Sequence, residues 1–400
     1  MSKEERKMNQ IAKFEMPAHV YYGEGALDHL GTLTAELGKK ALIVSDEMME
    51  QIGHVDRVVH LLEDEGVTAA LYLGANTEPT DEFVADALAI YQSEACDCIV
   101  SIGGGSCLDT AKAVAMVATN GGNINEYGMK RRDILAPSVP MVLIPTTAGT
   151  GSEATDVTVI TNTKENIKMM IKHHAFLPTV ALVDPMLTMT APKHVTAATA
   201  IDALCHAMES LISKKAQPMT EIFSTHAIEA IMSNIEEVYH NGDNVQARQE
   251  VSLAALQAGI AFSNASVTLV HGMSRPMGAM FHVPHGVSNA MLLPAVLEFT
   301  REECEPSLAK VAKVVLQETN GMSQSQLVDE LIKEIKRLCH VLEIPNMHDW
   351  GIDEKAFEAA LDKMATDALD SGSPANNPRV PSHAEVVDLY RTCFRYDFSK

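Results

Sequence analysis

Between residues 41 and 184, short apolar runs rich in β-branched residues alternate with longer stretches whose apolar residues recur at helical spacing. Residues 41–45, 68–72, 98–102, 140–144 and 180–184 read as buried strands, with helical patterns such as 80–91 and 106–119 between them. Strands apolar along both faces need cover on both sides, which is the arrangement of a mostly parallel sheet layered with helices. After Asp184 the strand signals stop. Residues 195–212, 219–239, 246–262, 324–342 and 384–394 all carry helical periodicity, and Pro185 and Pro192 bracket the connector. The expected organisation is an α/β domain over 1–187 followed by an all-α domain over 188–400, with no internal repeat.

Charge excludes two classes of partner. The 400 residues carry 31 Lys+Arg against 53 Asp+Glu, a net charge of −22, which repels phosphate backbones and anionic lipid surfaces. The opening stretch MSKEERKMNQ is charged where a secretory signal needs an apolar segment, so a cytoplasmic protein that binds neither nucleic acid nor membrane is expected. The 7 cysteines are scattered without a CxxC pair and read as reduced thiols. Cys96 and Cys98 are expected to alternate onto one buried strand face. The 22 methionines read as adaptable core filling.

The strand at 98–102 runs directly into Gly103-Gly104-Gly105-Ser106 and then a helix bearing Asp109 and Lys112. Glycines in that position let backbone amides approach an anion at the positive end of the helix dipole, although they also serve as plain tight turns. A second turn, Pro145-Thr146-Thr147-Ala148-Gly149-Thr150-Gly151-Ser152-Glu153, follows the next strand and adds hydroxyls at the same sheet edge. Two such loops at neighbouring carboxyl ends favour nucleotide binding in a Rossmann-like domain. Asp46, at the end of the first of these strands, can accept from ribose hydroxyls and repel a ribose phosphate, favouring NAD over NADP; it can equally cap the helix that follows.

In the helical half, Asp202 and His206 stand four apart and leave one helix face, which suits either a divalent metal or an ordinary ion pair. His271-Gly272 and His285-Gly286 add two imidazoles, and three nitrogens with one carboxylate would suit Fe2+ or Zn2+. His282 fits either a supporting or a packing role. His173 and His174, being adjacent, are expected to point apart.

The segments FxMPAHVYYGEGAL, GGGSxLDTAK, PTTAGTGSE, AAxAIDALCHAxE, HGMSRPMGAxFHVPHG and NPRVPSHAEVVDLYR, spread in that order from Phe14 to Arg391, resemble the iron-containing (group III) alcohol dehydrogenase family. The resemblance implies a dehydroquinate synthase-like architecture, with NAD and the metal in a cleft between the domains. It also implies hydride transfer between a small primary alcohol or aldehyde and NAD. By position, the metal ligands are Asp202, His206, His271 and His285. The cofactor side comprises Asp46, Gly104, Gly105, Ser106, Asp109, Thr146, Thr147, Thr150 and Lys168, and Phe262 borders the substrate. Relatives assemble as homodimers or larger homo-oligomers, and the run from Phe14 to Tyr22 could supply a pairing strand.

In one position the chain departs from the family. Many relatives read HGxxHxxG, whereas Arg275 stands in the slot of that second histidine. A guanidinium keeps its charge at ordinary pH and cannot relay a proton, so it either recognises an anionic substrate, pairs with an acid such as Asp156, or reaches the cofactor phosphates. The rival readings are an NAD-using cyclase or lyase of the dehydroquinate synthase type, and a binding protein on the same fold. The first would call for more basic pocket residues than the matched segments offer, and the second would be expected to have lost ligands.

Overall fold

The computed structural model describes residues 11–165 and 167–399; the charged opening stretch 1–10 lies outside the described residues. Two compact units result, Glu15–Ala191 and, with the segment ending at Phe14, Pro192–Lys400.

The first unit contains strands β1 (His19–Tyr22), β2 (Lys40–Val44), β3 (Thr68–Tyr72), β4 (Cys98–Gly103), β5 (Met141–Pro145), β6 (Val157–Asn162), β7 (Ile167–Lys172) and β8 (Val180–Val183). Its helices are α1 (Leu30–Leu37), α2 (Glu47–Gln51), α3 (His54–Asp64), α4 (Asp81–Ser93), α5 (Gly105–Asn120) and α6 (Ile124–Gly128). Six strands form one parallel sheet in the order β1-β8-β5-β4-β2-β3. Alternate residues serve opposite faces: Leu42, Val44, Ile99 and Leu143 pack with α4 and α5, whereas Ala41, Ile43, Val100 and Val142 pack with Leu30, Val55, Val58 and Leu62 of α1 and α3. The chain moves from β2 outward to β3, then crosses back to place β4 on the other side of β2. The crevice of such a sheet opens at that reversal, beyond the carboxyl ends of β2 and β4.

Three sequence expectations need correction. Cys96 and Cys98 do not share a strand face: β4 begins at Cys98, Ala95 turns the chain with φ +52°, and the two thiols enter the clusters on opposite sides of the sheet. His173 and His174 do not diverge, because His173 caps a 3-10 turn rather than continuing β7, and the rings lie 4.1 Å apart. The antiparallel hairpin β6–β7 was not expected; its strands are half-buried and carry Thr, Asn and Lys at alternate positions, so no continuous apolar run marks them.

The second unit is helical among its described residues: α7 (Lys193–Ile212), α8 (Pro218–His240), α9 (Val245–Ala265), α10 (Leu269–Phe281), α11 (His285–Val315), α12 (Gln324–Val341), α13 (Glu354–Asp370) and α14 (His383–Phe394). Here α7 lies at the centre, against α8, α9 and α11. It alone among the described helices is by itself long and apolar enough to cross a membrane, yet 89% of that stretch is buried in the protein, as befits a core helix. Pro276 in α10 and Pro294 and Pro306 in α11 interrupt the periodic signal, and Cys304 kinks α11 with φ −136°. The unit also holds Phe14, stacked on Phe223 at 5.8 Å.

Candidate functional site

At the carboxyl end of β4, Gly103 takes φ +150°, and a Cβ there would meet Cys107 Sγ at 2.5 Å, so the protein itself requires this glycine. Gly104 differs: its φ is ordinary and a Cβ on it would meet nothing within 4 Å. It stands at the start of the sixteen-residue α5, where no side chain caps the helix. An open approach to the first amides and the positive end of a buried helix is the cradle a phosphate requires. The second turn closes against the first, since Thr146 N–H donates to Gly103 O at 3.0 Å and a Cβ on Gly105 would lie 3.0 Å from Thr150 Cγ2. Thr150 Oγ1 accepts from the Ser152 amide at 3.3 Å, while Ser106 and Thr147 are partly exposed on the two turns.

Asp109 ties the turns together: its carboxylate accepts from Ser152 Oγ at 2.5 Å and Val159 N–H at 2.9 Å. Beneath it lies the fully buried Lys112, donating to Thr155 Oγ1 and Val157 O, each at 2.8 Å. Burial lowers the Lys112 ammonium to about 8 against the opposing pull of Asp109 and Glu153. Burial likewise raises Glu153 to about 7, and its Oε2 has no hydrogen-bond partner among the described residues. Lys168, on β7, forms an ion pair with Glu78 at 2.6 Å. Asp46 does cap α2, accepting from Met49 N–H at 2.8 Å through Oδ1, while Oδ2 meets Cys107 Sγ at 3.3 Å. The capping carboxylate thus stands beside the glycine turn at the sheet reversal.

In the helical unit, α7 presents Asp202, His206 and Glu209 at i, i+4 and i+7, one face of a buried helix. His271 comes from the first turn of α10, and His285 opens α11. Each is followed by a glycine that permits close approach: a Cβ on Gly272 would lie 2.6 Å from Pro374 Cγ, and one on Gly286 2.5 Å from the Ala198 carbonyl oxygen. One ligand atom each from Asp202, His206, His271 and His285 lies within 4.8 Å of all the others. From Asp202 Oδ1, the Nε2 atoms of His271, His206 and His285 are 3.6, 3.9 and 3.9 Å away. Metal–ligand bonds of about 2.0–2.2 Å in tetrahedral geometry separate ligand atoms by about 3.4 Å, so these spacings fit a divalent ion with little adjustment.

The surrounding hydrogen bonds select the atoms that face inward. Glu209, which had drawn no assignment from its sequence, accepts the Nδ1 proton of His271 on one oxygen, and Thr268 Oγ1 (2.8 Å) and Val270 N–H (2.7 Å) on the other. Ser274 Oγ lies 3.2 Å from His285 Nδ1 and 2.7 Å from Ser288 Oγ, and Ser288 donates to His285 O at 2.9 Å. Each hydroxyl has one proton, so this chain runs from His285 Nδ1–H through Ser274 to Ser288. In both imidazoles the protonated Nδ1 is thus engaged, and Nε2, the nitrogen that faces Asp202, is left as the one a metal would take. Burial would raise the Asp202 carboxyl, but His206, His285 and His271 hold it well below the usual carboxylate range. For His271 burial acts downward, and Glu209 and Asp202 overcome it to reach about 9. Phe262 stacks on His206 with centroids 4.2 Å apart, and His271 lies on that ring at 4.5 Å. Arg275, one turn beyond His271, donates to Ser373 Oγ at 3.1 Å and feels the charge of Glu209; Asp156 is bound by Lys172 at 2.7 Å. His282 is exposed and ends α10 in the left-handed region at φ +54°.

Sequence comparison agrees with this geometry. Residues 17–185 match the family described as iron-containing alcohol dehydrogenase, and 196–394 the C-terminal part of the Fe-containing alcohol dehydrogenase family. The 1,3-propanediol dehydrogenase of Klebsiella pneumoniae is 36% identical over 379 residues, covering 94% of this chain and 96% of the relative. The NAD-dependent methanol dehydrogenase of Bacillus methanolicus is 33% identical over 383 residues, covering 95% and 99%. A crystal structure of a 1,3-propanediol oxidoreductase superposes with a TM-score of 0.92 at 35% identity, covering 96% of this chain and all of that one.

Proposed function

The chain belongs to the iron-containing alcohol dehydrogenase family, and on that footing we propose that it interconverts a small primary alcohol and its aldehyde by NAD-linked hydride transfer, with Fe2+ or Zn2+ held by Asp202, His206, His271 and His285. The observation that carries this reading is the convergence of those four ligand atoms, with Glu209 and Ser274 setting the tautomers of two of them. A divalent ion supplies Lewis-acid polarisation of the substrate oxygen, and NAD accepts or returns the hydride.

The chain's own residues bind and orient. Gly104, Gly105 and Ser106 offer amides to the pyrophosphate; Thr146, Thr147 and Thr150 line the second turn; Asp109 holds that turn on α5. Asp46 takes the ribose hydroxyls with the oxygen not used in capping, and Lys168 reaches the cofactor from β7. Phe262 fixes the plane of His206 and borders the substrate. Arg275 cannot release a proton at working pH, and its bond to Ser373 with the nearby Glu209 supports an anchoring role. The relative named for NAD-dependent methanol oxidation supports the cofactor. A cytoplasmic setting fits seven free, buried cysteines. Assembly through β1 is supported by its place at the sheet edge with Tyr22 58% exposed.

The test is NADH oxidation over a panel of short aldehydes, neutral, hydroxylated and anionic, with protein reconstituted anaerobically with Fe2+ or Zn2+. Turnover should require the metal and vanish in His271→Ala together with tight metal binding. Full metal occupancy and normal turnover in that variant would reject the ligand assignment.

A further inference from the structure

Asp46 follows β2 and Cys107 lies in the first turn of α5, 61 residues later, yet the two side chains meet. Asp46 accepts from the Met49 amide through Oδ1 at 2.8 Å, and its Oδ2 lies 3.3 Å from Cys107 Sγ. A carboxylate offers only lone pairs, so the thiol is the donor. Burial, reinforced by the Asp46 charge, pushes the Cys107 thiol well above its ordinary value, and the S–H is kept at working pH. The glycine turn joins the same contact: a Cβ on Gly103 would lie 2.5 Å from Cys107 Sγ and 3.6 Å from Asp46 Oδ2. Sulfur, carboxylate oxygen and turn pack as one unit, and Cys107 fills the position that the motif GGGSxLDTAK leaves open.

A dinucleotide makes a combined demand on this edge of the sheet. Its ribose and its pyrophosphate are joined covalently, so the carboxylate that takes the ribose hydroxyls and the amides that take the phosphate must stand at a fixed separation. The cap bond ties Asp46 to α2 alone. Cys107 ties it to α5, the helix whose first amides form the cradle. With both oxygens held, the carboxylate cannot turn about χ2 without breaking a hydrogen bond, and Oδ2 keeps a lone pair for the ribose.

Resting on the reading of Asp46 as the ribose contact, we infer that Cys107 is a positioning residue for cofactor choice: its thiol holds the Asp46 carboxylate in register with the glycine turn and so sharpens the preference for an unphosphorylated ribose. Freed from the thiol, the carboxylate loses part of its hold on the ribose hydroxyls and can swing clear of a 2′-phosphate. NADH binding then weakens and the bias against NADPH shrinks.

Cys107→Ala and Cys107→Val both remove the donor, the second with nearly the original volume, whereas Cys107→Ser keeps a donor and loses the sulfur. Fluorescence titration of the full-length protein with NADH and NADPH gives both dissociation constants without turnover, and the melting temperature of the cofactor-free variants monitors the fold. We expect Kd(NADPH)/Kd(NADH) to fall about 3- to 10-fold in the Ala and Val variants, the range of one hydrogen bond, and serine to restore the parent ratio. Made on top of Asp46→Gly, Cys107→Ala should leave the ratio unmoved, because the thiol acts only through the carboxylate. A purely structural role would lower both affinities by one factor in either background. That result, an unchanged ratio in the Ala and Val variants, or serine behaving as alanine overturns the proposal. Failure of the Asp46 reading looks different: Asp46→Gly alone would leave the ratio at its parent value, and Cys107 would then have no ribose contact to position.

Discussion

Exchanging Glu209 for Gln is a sharp test of how the histidines are aimed. The side chain is 1% exposed and its size is conserved, so the perturbation is confined to one charge and the hydrogen bonds it accepts. The donors Thr268 Oγ1 and Val270 N–H, at 2.8 and 2.7 Å, demand that the glutamine place its oxygen where Oε1 now lies. Its NH2 must then face His271 Nδ1, a donor opposite a donor. The ring resolves the clash by moving its proton to Nε2, the atom 3.6 Å from Asp202 Oδ1, and a protonated Nε2 has no lone pair for a metal. Restoring the productive tautomer forfeits a charge-assisted hydrogen bond worth about 1.5–3 kcal/mol, or about 10- to 150-fold in metal affinity. Chelator competition with Zn2+ and Fe2+ measures the loss directly, and NADH fluorescence titration should show unchanged cofactor binding. Metal affinity within about twofold of the parent would refute the tautomer argument, because the smallest loss it allows is about tenfold.

Asp46→Gly should raise kcat/KM with NADPH relative to NADH, by removing charge repulsion at the ribose, and should cost only about 0.3 kcal/mol of stability, because glycine is itself a tolerable cap for α2; an unchanged cofactor ratio would leave Asp46 as a cap only. Glu153, raised by burial to about 7 from an ordinary 4.5, stabilises the fold fully below pH 4.5 and loses that contribution as pH rises toward 7. Glu153→Gln does not titrate, so denaturant unfolding should show the variant gaining on the parent between pH 4.5 and 8 by about 3 kcal/mol at most; parallel profiles would refute it. Arg275→Gln should lower activity on anionic and neutral aldehydes of equal length alike, since the guanidinium anchors Ser373; a selective loss on the anionic aldehyde would instead make it a substrate contact.

Five strands of the parallel sheet were legible because each announces itself as a short apolar run, buried along both faces in β2, β4, β5 and β8 though not in the edge strand β3, and the glycine turns because only glycine tolerates conformations such as φ +150° at Gly103. The hairpin β6–β7 was not, since half-buried strands with alternating Thr and Lys look like loop, nor was the extent of α10 and α11, whose prolines break the helical period. Asp202 and His206 carry their relation in local spacing, and Glu209 continues it at i+7 on the same face. Residue type and helical period thus determined which side chains could meet a metal. Only the tertiary structure decided how those side chains are held: Glu209 reaches His271, 62 residues away, and Arg275 reaches Ser373, 98 residues away. No local pattern encodes such pairings. They arise when buried helices pack and every buried polar atom must find a partner there or be left without one.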